Sequence, residues 1–444
     1  MKRSFQKRKT LAQLSFPLFL HSLLVFAATL FDTMIISAYS ANAAAAVAMA
    51  RQILVIAFEV SGMIGIGAVI LISHSLGRDD EDRARHVAGV AIAANTLFGL
   101  AIGLVLAVAG PVVLWLLDPP EDVAGSARLY LFVVAGAMMF NGFAMASMAS
   151  LRAFGQSTTI LSIGSVLSVV YVVAEYLLIL GAGPLPALGV LGAAAGAYLL
   201  RLLRAVSLGA AVLRAQKLRL TLRGLTDEWS LVRQMMTLSF PSVSDYIAHG
   251  FYQLFLLSFV TGFGVIGVLS RTYVMIAMAF LILVITAISQ GNEVLLGYRR
   301  GEGRPELAYG QALRSSRIAA LAASAIALVL WLLADPFIGL FTDDPQIRAL
   351  SSNLLFLTIF VQPGIAFNTI LFQSLRAVGD VRWPVLVSQS LTWGLGLPLA
   401  WFASMEWGFG VEGVWYALII EETLKAIYMV HRWTTRSGLH HEAA

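Results

Sequence analysis

The feature that most constrains this 444-residue chain is a succession of twelve apolar stretches, each long enough to cross a lipid bilayer. A transmembrane helix needs about 20 apolar residues. The stretches show no alternation of period two, and lipid cannot satisfy open backbone groups, so we predict helices rather than barrel strands. We place the spans near residues 14–39, 48–76, 86–117, 127–151, 157–181, 189–213, 232–262, 266–297, 308–341, 347–375, 382–405 and 411–434.

Composition supports an integral membrane protein and excludes several other classes. The chain is 59% hydrophobic and 12% charged, whereas soluble domains average about 45–50% apolar and about 25% charged residues. Twelve spans with short loops leave no room for a sizeable soluble domain. The absence of cysteine from the sequence excludes a disulfide framework and a thiolate metal site.

The positive residues predict the orientation. With the N-terminus inside, 26 of the 30 Lys and Arg residues fall in cytoplasmic segments and 4 fall outside. This bias follows the positive-inside rule, so we expect a multi-pass protein of the plasma membrane with both termini in the cytoplasm. Because the net charge of +5 follows loop position, it does not indicate nucleic-acid binding.

The chain repeats itself over two halves. Three short matches recur in register, at offsets of 224, 224 and 221: residues 14–17 at 238–241, 151–155 at 375–379, and 189–192 at 410–413. Several matches in register indicate a duplicated six-helix unit. Six is even, so the two halves enter the membrane from the same side, as parallel repeats do in transporters with a central site between the halves.

The repeat also predicts the domain boundaries. They are a cytoplasmic tail (1–13), a first lobe of helices 1 to 6 (14–213), a cytoplasmic linker (214–231), a second lobe of helices 7 to 12 (232–434) and a second cytoplasmic tail (435–444).

At these positions the sequence resembles the MATE family, the multidrug and toxic compound extrusion transporters. The resemblance is carried by Pro17 and residues 31–33 (Phe-Asp-Thr) in helix 1, residues 75–79 closing helix 2, and the Leu-Arg-Ala-x-Gly and Gly-Val-x-Gly matches of both halves. It implies a V-shaped, two-lobed, all-α bundle. It also implies export of amphipathic, often cationic, compounds driven by inward H⁺ or Na⁺, with no cofactor and no enzyme activity; we expect a monomer.

One branch of that family, the DNA-damage-inducible type, uses acids in helices 1 and 5. Asp32 matches the first of these acids, and Glu175 stands where the second would be. Where that branch has an Asn one turn earlier in helix 5, this chain has Tyr171. The sequence is therefore closer to this branch, with a departure at a residue that would bind Na⁺.

Acids inside a bilayer cost free energy and so indicate function. At about 1.5 Å per residue, Asp32, Glu59 and Glu175 all lie roughly 9–12 Å below the outer surface. We interpret them as an ion-coupling site for H⁺ or Na⁺. The matching residues of the second half are apolar, so folding does not require acids there: Leu256, Ala279 and Leu399.

Other polar residues give weaker candidates. Asp245 and His249 are one turn apart, which predicts a pair in the second lobe. Glu421, Glu422 and Lys425 are spaced for a structural ion pair. Arg51 and Arg271 match between the halves, which favours a structural role at the outer interface. Four side chains could line a cavity for the small amphipathic substrate: Phe31, Tyr171, Tyr176 and Gln253.

Two other functions remain as alternatives. A flippase for lipid-linked sugars would need a cationic cavity, whereas the intramembrane acids are negative. An ion channel is usually a symmetric oligomer, which an internally duplicated chain with acids in one half does not resemble. No nucleophile with a base, and no metal-ligand set, indicates an enzyme.

Overall fold

The structure is a computed structural model that describes residues 9–116, 120–181, 186–216 and 228–436. The tails predicted at 1–13 and 435–444 and the linker predicted at 214–231 lie largely outside these residues. Within them the chain divides into two compact units, residues 1–243 and 244–444.

The first unit contains the first six predicted spans. Its helices are α1 (Leu11–Tyr39), α2 (Ala41–Ser61), α3 (Met63–Gly77), α4 (Glu81–Leu116), α5 (Glu121–Gly136), α6 (Met138–Ala153), α7 (Ser157–Leu180) and α8 (Val190–Gln216). Helix α1 packs on α7, α4 on α6, and α8 on both α6 and α7.

The second half repeats this order. Its helices are α9 (Trp229–Thr261), α10 (Gly264–Gly301), α11 (Pro305–Leu332), α12 (Ala334–Ile338), α13 (Pro345–Ala377), α14 (Arg382–Leu391), α15 (Leu397–Trp401) and α16 (Gly410–Arg436). A five-residue π-helical segment, Thr392–Gly396, joins α14 to α15. A second one, Phe402–Glu406, follows α15.

The predicted spans correspond to these helices. Nine helices of the described ranges are long and apolar enough to cross a membrane, and the bent pair α5–α6 makes a tenth. The other two predicted spans are α9 and α16, which carry more polar residues. The all-helical membrane fold with twelve spans in two repeats is confirmed.

Two spans predicted as continuous are broken. The span of α2 and α3 is interrupted at Gly62, and α5 and α6 meet at Ala137 with a bend of 50°. At the first break the Ile64 amide donates to Asn95 Oδ1 of α4 (3.1 Å), and the Asn95 amide also donates to the Gly142 carbonyl of α6 (2.6 Å), so Asn95 links α3 to α6. Tertiary contacts therefore stabilise a break that apolar composition does not reveal.

The turn after α6 and its repeat after α13 have the same geometry. Gly155 and Gly379 both have positive φ, 70° and 89°. The amide of the following residue donates back to the helix in each case, from Gln156 to Leu151 (2.8 Å) and from Asp380 to Leu375 (2.9 Å). Glycine adopts this left-handed conformation without strain, which accounts for its place at the end of the Leu-Arg-Ala-x-Gly match in both halves.

Candidate functional site

The first two helices bring a buried acid and a base together. Asp32 on α1 is 1% exposed, and its carboxylate forms a salt bridge with Arg51 on α2. Only Ser40 separates the two helices, so they double back on one another. The second carboxylate oxygen, Asp32 Oδ1, is buried and has no hydrogen-bond partner among the described residues. The interpretation of Arg51 as an interface anchor missed this partner.

Glu175 on α7 is a fully buried acid of the first half. It is 0% exposed, and neither carboxylate oxygen has a hydrogen-bond partner in the part of the chain that the structure describes. The Tyr171 phenol, one turn earlier, is close enough to interact with the carboxylate without completing a bond to it. Gly196 of α8 makes room for the side chain, since a methyl group there would lie 2.9 Å from Glu175 Cγ.

Arg51 connects the two acids. It is bonded to Asp32, and its charge also acts on Glu175, as does the charge of Arg201 on α8. We call Asp32, Arg51 and Glu175 the first-half cluster. Because α1 packs along α7, the cluster lies within one unit and is held by three helices, α1, α2 and α7.

Glu59 does not join this cluster. Its side chain is half-buried, and the described residues offer it no side-chain hydrogen bond or ion pair. Helix α2 begins at Ala41, so Glu59 lies 18 residues, about 27 Å, from the outer end of that helix, whereas Asp32 lies 7 residues from the outer end of α1. The similar depth predicted for the three acids is therefore wrong for Glu59. The role of Glu59 in ion coupling stays a prediction.

The residues expected to line a substrate cavity differ in exposure. Phe31 and Tyr176 are exposed by 51% and 53%, Tyr171 is half-buried beside Glu175, and Gln253 is half-buried in the second half. Gln253 Oε1 accepts from Arg271 (2.9 Å), the repeat counterpart of Arg51. Substrate contact at these residues stays a prediction.

In the second half, Asp245 and His249 do not bond one another as their spacing suggested. Asp245 accepts a hydrogen bond from the Gln389 side chain (2.6 Å), and His249 lies 3.2 Å from the Gln253 amide nitrogen. Gln389 in turn accepts from the Trp393 indole (3.0 Å). Each of the two residues therefore has its own partner, although both lie on α9.

The predicted ion pair of α16 is confirmed and belongs to a larger network. Lys425 donates to Glu421 (2.5 Å) and to Glu422 (3.0 Å). Glu421, 0% exposed, also accepts from the hydroxyls of Tyr252 (2.5 Å) and Thr392 (2.8 Å). Sequence spacing identifies the pair on α16, but the hydroxyl donors come from other helices and need the tertiary structure.

The two halves thus treat a fully buried glutamate differently. Glu421 has a cation and two hydroxyl donors, as buried charges in stable proteins normally do. Glu175 has no such hydrogen bond or ion pair with a residue of the described ranges. The charge of such a buried acid is free to be neutralised by an incoming cation, and this makes the first-half cluster the candidate ion site.

Comparison with known proteins agrees with this architecture. A family model described as MatE matches residues 17–177 and 241–402, the corresponding parts of the two halves. The uncharacterized transporter YisQ of Bacillus subtilis is 29% identical over 438 residues, which cover 98% of this chain and 96% of that protein. A probable multidrug resistance protein NorM of Thermotoga maritima is 22% identical over 98% of this chain and 95% of its own.

Solved structures share the fold. A MATE transporter in a bent conformation superposes with a TM-score of 0.88 at 18% identity, covering 99% of this chain and 98% of that one. A MOP superfamily transporter from Pyrococcus furiosus gives a TM-score of 0.88 at 17% identity, with 99% of both chains covered. The chain therefore belongs to the MatE family of membrane transporters, the multidrug and toxic compound extrusion family.

Proposed function

We propose that this transporter exports amphipathic organic compounds in exchange for an inward cation, and that the first-half cluster binds the cation. The observation that carries the proposal is the burial of Glu175, whose carboxylate oxygens have no hydrogen bond within the part of the chain that the structure describes. The second half supplies the internal comparison, because its buried acid Glu421 is fully bonded. The relatives named as multidrug resistance proteins support export of drug-like compounds.

The surroundings of Glu175 favour H⁺ over Na⁺. A sodium ion needs several oxygen ligands, whereas the charges of Arg51 and Arg201, which act on Glu175, oppose either cation alike. A proton needs only one carboxylate oxygen and cancels the buried charge. Tyr171 in place of a family Asn removes one amide oxygen that could have served Na⁺.

The energy available is sufficient for export. One proton crossing about 150 mV releases roughly 3.5 kcal/mol. That free energy sustains about a 300-fold substrate gradient, since about 1.4 kcal/mol corresponds to a factor of ten.

The test is dye efflux from proteoliposomes with an imposed pH gradient or an imposed Na⁺ gradient. We expect a pH gradient alone to drive uphill movement of dye, and a Na⁺ gradient at equal pH on both sides to drive none. Movement driven only by Na⁺ would contradict proton coupling, and movement driven by neither gradient would contradict the antiport proposal.

A further inference from the structure

Two arginines lie near the middle of α8, inside the first half. Arg201 and Arg204 are 11 and 14 residues after Val190, where α8 begins, so they lie about 16–21 Å along it. A hydrocarbon core of about 30 Å places both well inside the bilayer. The predicted span 189–213 contains both arginines, although the count of 26 cytoplasmic Lys and Arg residues included them; without them the count is 24 against 4, so the bias persists.

The two guanidinium groups are incompletely paired. Arg201 stacks on the Phe58 ring, 4.0 Å from its centroid, and donates from Nη1 to the Ala197 carbonyl (2.7 Å), while its buried Nε has no partner. Arg204 makes no hydrogen bond or ion pair with any residue that the structure describes. The two like charges act on each other across less than one helical turn.

The neighbouring groups add little negative charge. His21 on α1 is close enough to feel the charge of Arg204, and its Nδ1 is buried without a partner in the described residues. The acid near Arg201 is Glu175, which is not bonded to it. Two arginines of α8 and a histidine of α1 therefore lie near one another in the first half, with one carboxylate of α7 beside them that has no hydrogen bond within the described residues.

The duplication provides a control for this arrangement. The repeat offset of 221 aligns α8 with α16. It places Arg201 at the position of Glu422 and Arg204 at the position of Lys425. In the second half these two positions hold opposite charges and neutralise one another at 3.0 Å. The fold thus accommodates a self-neutralised pair at this place, and the first half carries two positive charges there instead.

We propose that Arg201 and Arg204 bind the anionic group of a transported amphipathic compound, a carboxylate or sulfonate on an apolar body. Guanidinium groups bind such anions through charge-assisted, often bidentate hydrogen bonds. Both residues are half-buried, so neither is sealed within the packing of the described residues. The compound is therefore an organic anion or zwitterion, in contrast to the cations that the family resemblance implies.

The site also relates to the proposed proton coupling, on which this step rests. Glu175 lies near Arg201 and is not hydrogen-bonded to it within the described residues. The proton site and the anion site are therefore neighbours in the same half, and exchange of the anion against a proton requires the two sites to be occupied in alternation.

The experiment compares two dyes that share a xanthene ring but differ in charge, fluorescein as the anion and rhodamine 6G as the cation. Binding to the purified full-length transporter in detergent is measured by fluorescence polarisation. We expect Arg204→Gln to weaken fluorescein binding about ten- to hundredfold, the range for a hydrogen bond to a charged group. Rhodamine 6G binding should change less than about twofold.

A second variant guards against misfolding. Arg201→Glu with Arg204→Lys reproduces the pair of the second half, so it should fold like the parent and still lose fluorescein binding. Unchanged fluorescein affinity in both variants, or equal losses for both dyes, would overturn the anion site. Displacement of fluorescein by phosphatidylglycerol but not by benzenesulfonate would also overturn it, because the site would then hold a lipid headgroup.

Failure of the proposed function is recognised separately. If a pH gradient drives no efflux in the parent but the arginine variants still lose fluorescein binding selectively, the anion site stands and proton coupling fails. If efflux is coupled to protons but both arginine variants bind fluorescein like the parent, proton coupling stands and the anion site fails.

Discussion

Replacement of Glu175 and of Glu421 by Gln removes one charge from each of two glutamates that are both 0% exposed. At Glu421 the change breaks the 2.5 Å contact with Lys425 and weakens two hydroxyl bonds. Breaking a buried ion pair costs about 3–5 kcal/mol. Because Lys425 keeps Glu422 at 3.0 Å, we expect the lower end, about 3 kcal/mol.

At Glu175 the same substitution breaks no hydrogen bond. It removes a desolvated charge, so the stability should rise or fall by no more than about 1 kcal/mol. For a unit of 150–250 residues, 1 kcal/mol shifts the melting temperature by about 2–4 °C, so Glu421→Gln should lower it by about 6–12 °C.

The assay is thermal unfolding of the purified variants in detergent, read as the fraction that remains monodisperse by size-exclusion chromatography after heating. The parent and both variants are measured side by side at one pH. If Glu175→Gln lowered the melting temperature as much as Glu421→Gln, Glu175 would be a bonded structural acid, and the contrast between the two halves would be refuted.

Two further predictions concern packing and topology. Gly196→Ala should destabilise the transporter by about 1–3 kcal/mol in the same melting assay, because its methyl meets Glu175 Cγ at 2.9 Å. Adding Glu175→Ala to this variant should restore stability. Gly125→Ala serves as the control, because a methyl there meets nothing within 4 Å. Equal destabilisation by the two glycine substitutions would contradict the close packing of Gly196 against Glu175. The native chain has no cysteine, so a single introduced cysteine can be labelled without background. A cysteine at exposed Ala41 should react with a thiol reagent added outside intact cells, and one at exposed Glu306 should react only after permeabilisation. The opposite pattern would invert the topology.

The helices and the duplication follow from the sequence because both depend on local information. Apolar length defines a span whatever surrounds it. The repeated turns at Gly155 and Gly379 share a backbone geometry that the repeated letters already indicate. The breaks at Gly62 and Ala137 do not follow, because the hydrogen-bond acceptor at the first of them is a buried Asn on another helix.

The acids of the candidate site could be identified from the sequence, whereas their partners could not. Asp32 and Glu175 stand out as charges in apolar runs, but the salt bridge to Arg51 depends on how α1 and α2 pack. Glu59 was grouped with them because the predicted second span begins near residue 48, whereas α2 begins at Ala41 and so places Glu59 deeper. The span predicted at 189–213 already contained Arg201, but the sequence does not show which groups surround it.

The central claim is that the coupling ion binds in the first half, and efflux under a pH gradient tests it most directly. Parent, Glu175→Gln and Asp245→Asn proteins are reconstituted in matched amounts, and dye movement is followed with and without the gradient. The account predicts that Asp245→Asn drives uphill efflux like the parent, whereas Glu175→Gln only equilibrates dye down its own gradient. Uphill efflux by Glu175→Gln together with its loss in Asp245→Asn would place the ion site in the second half and contradict the account.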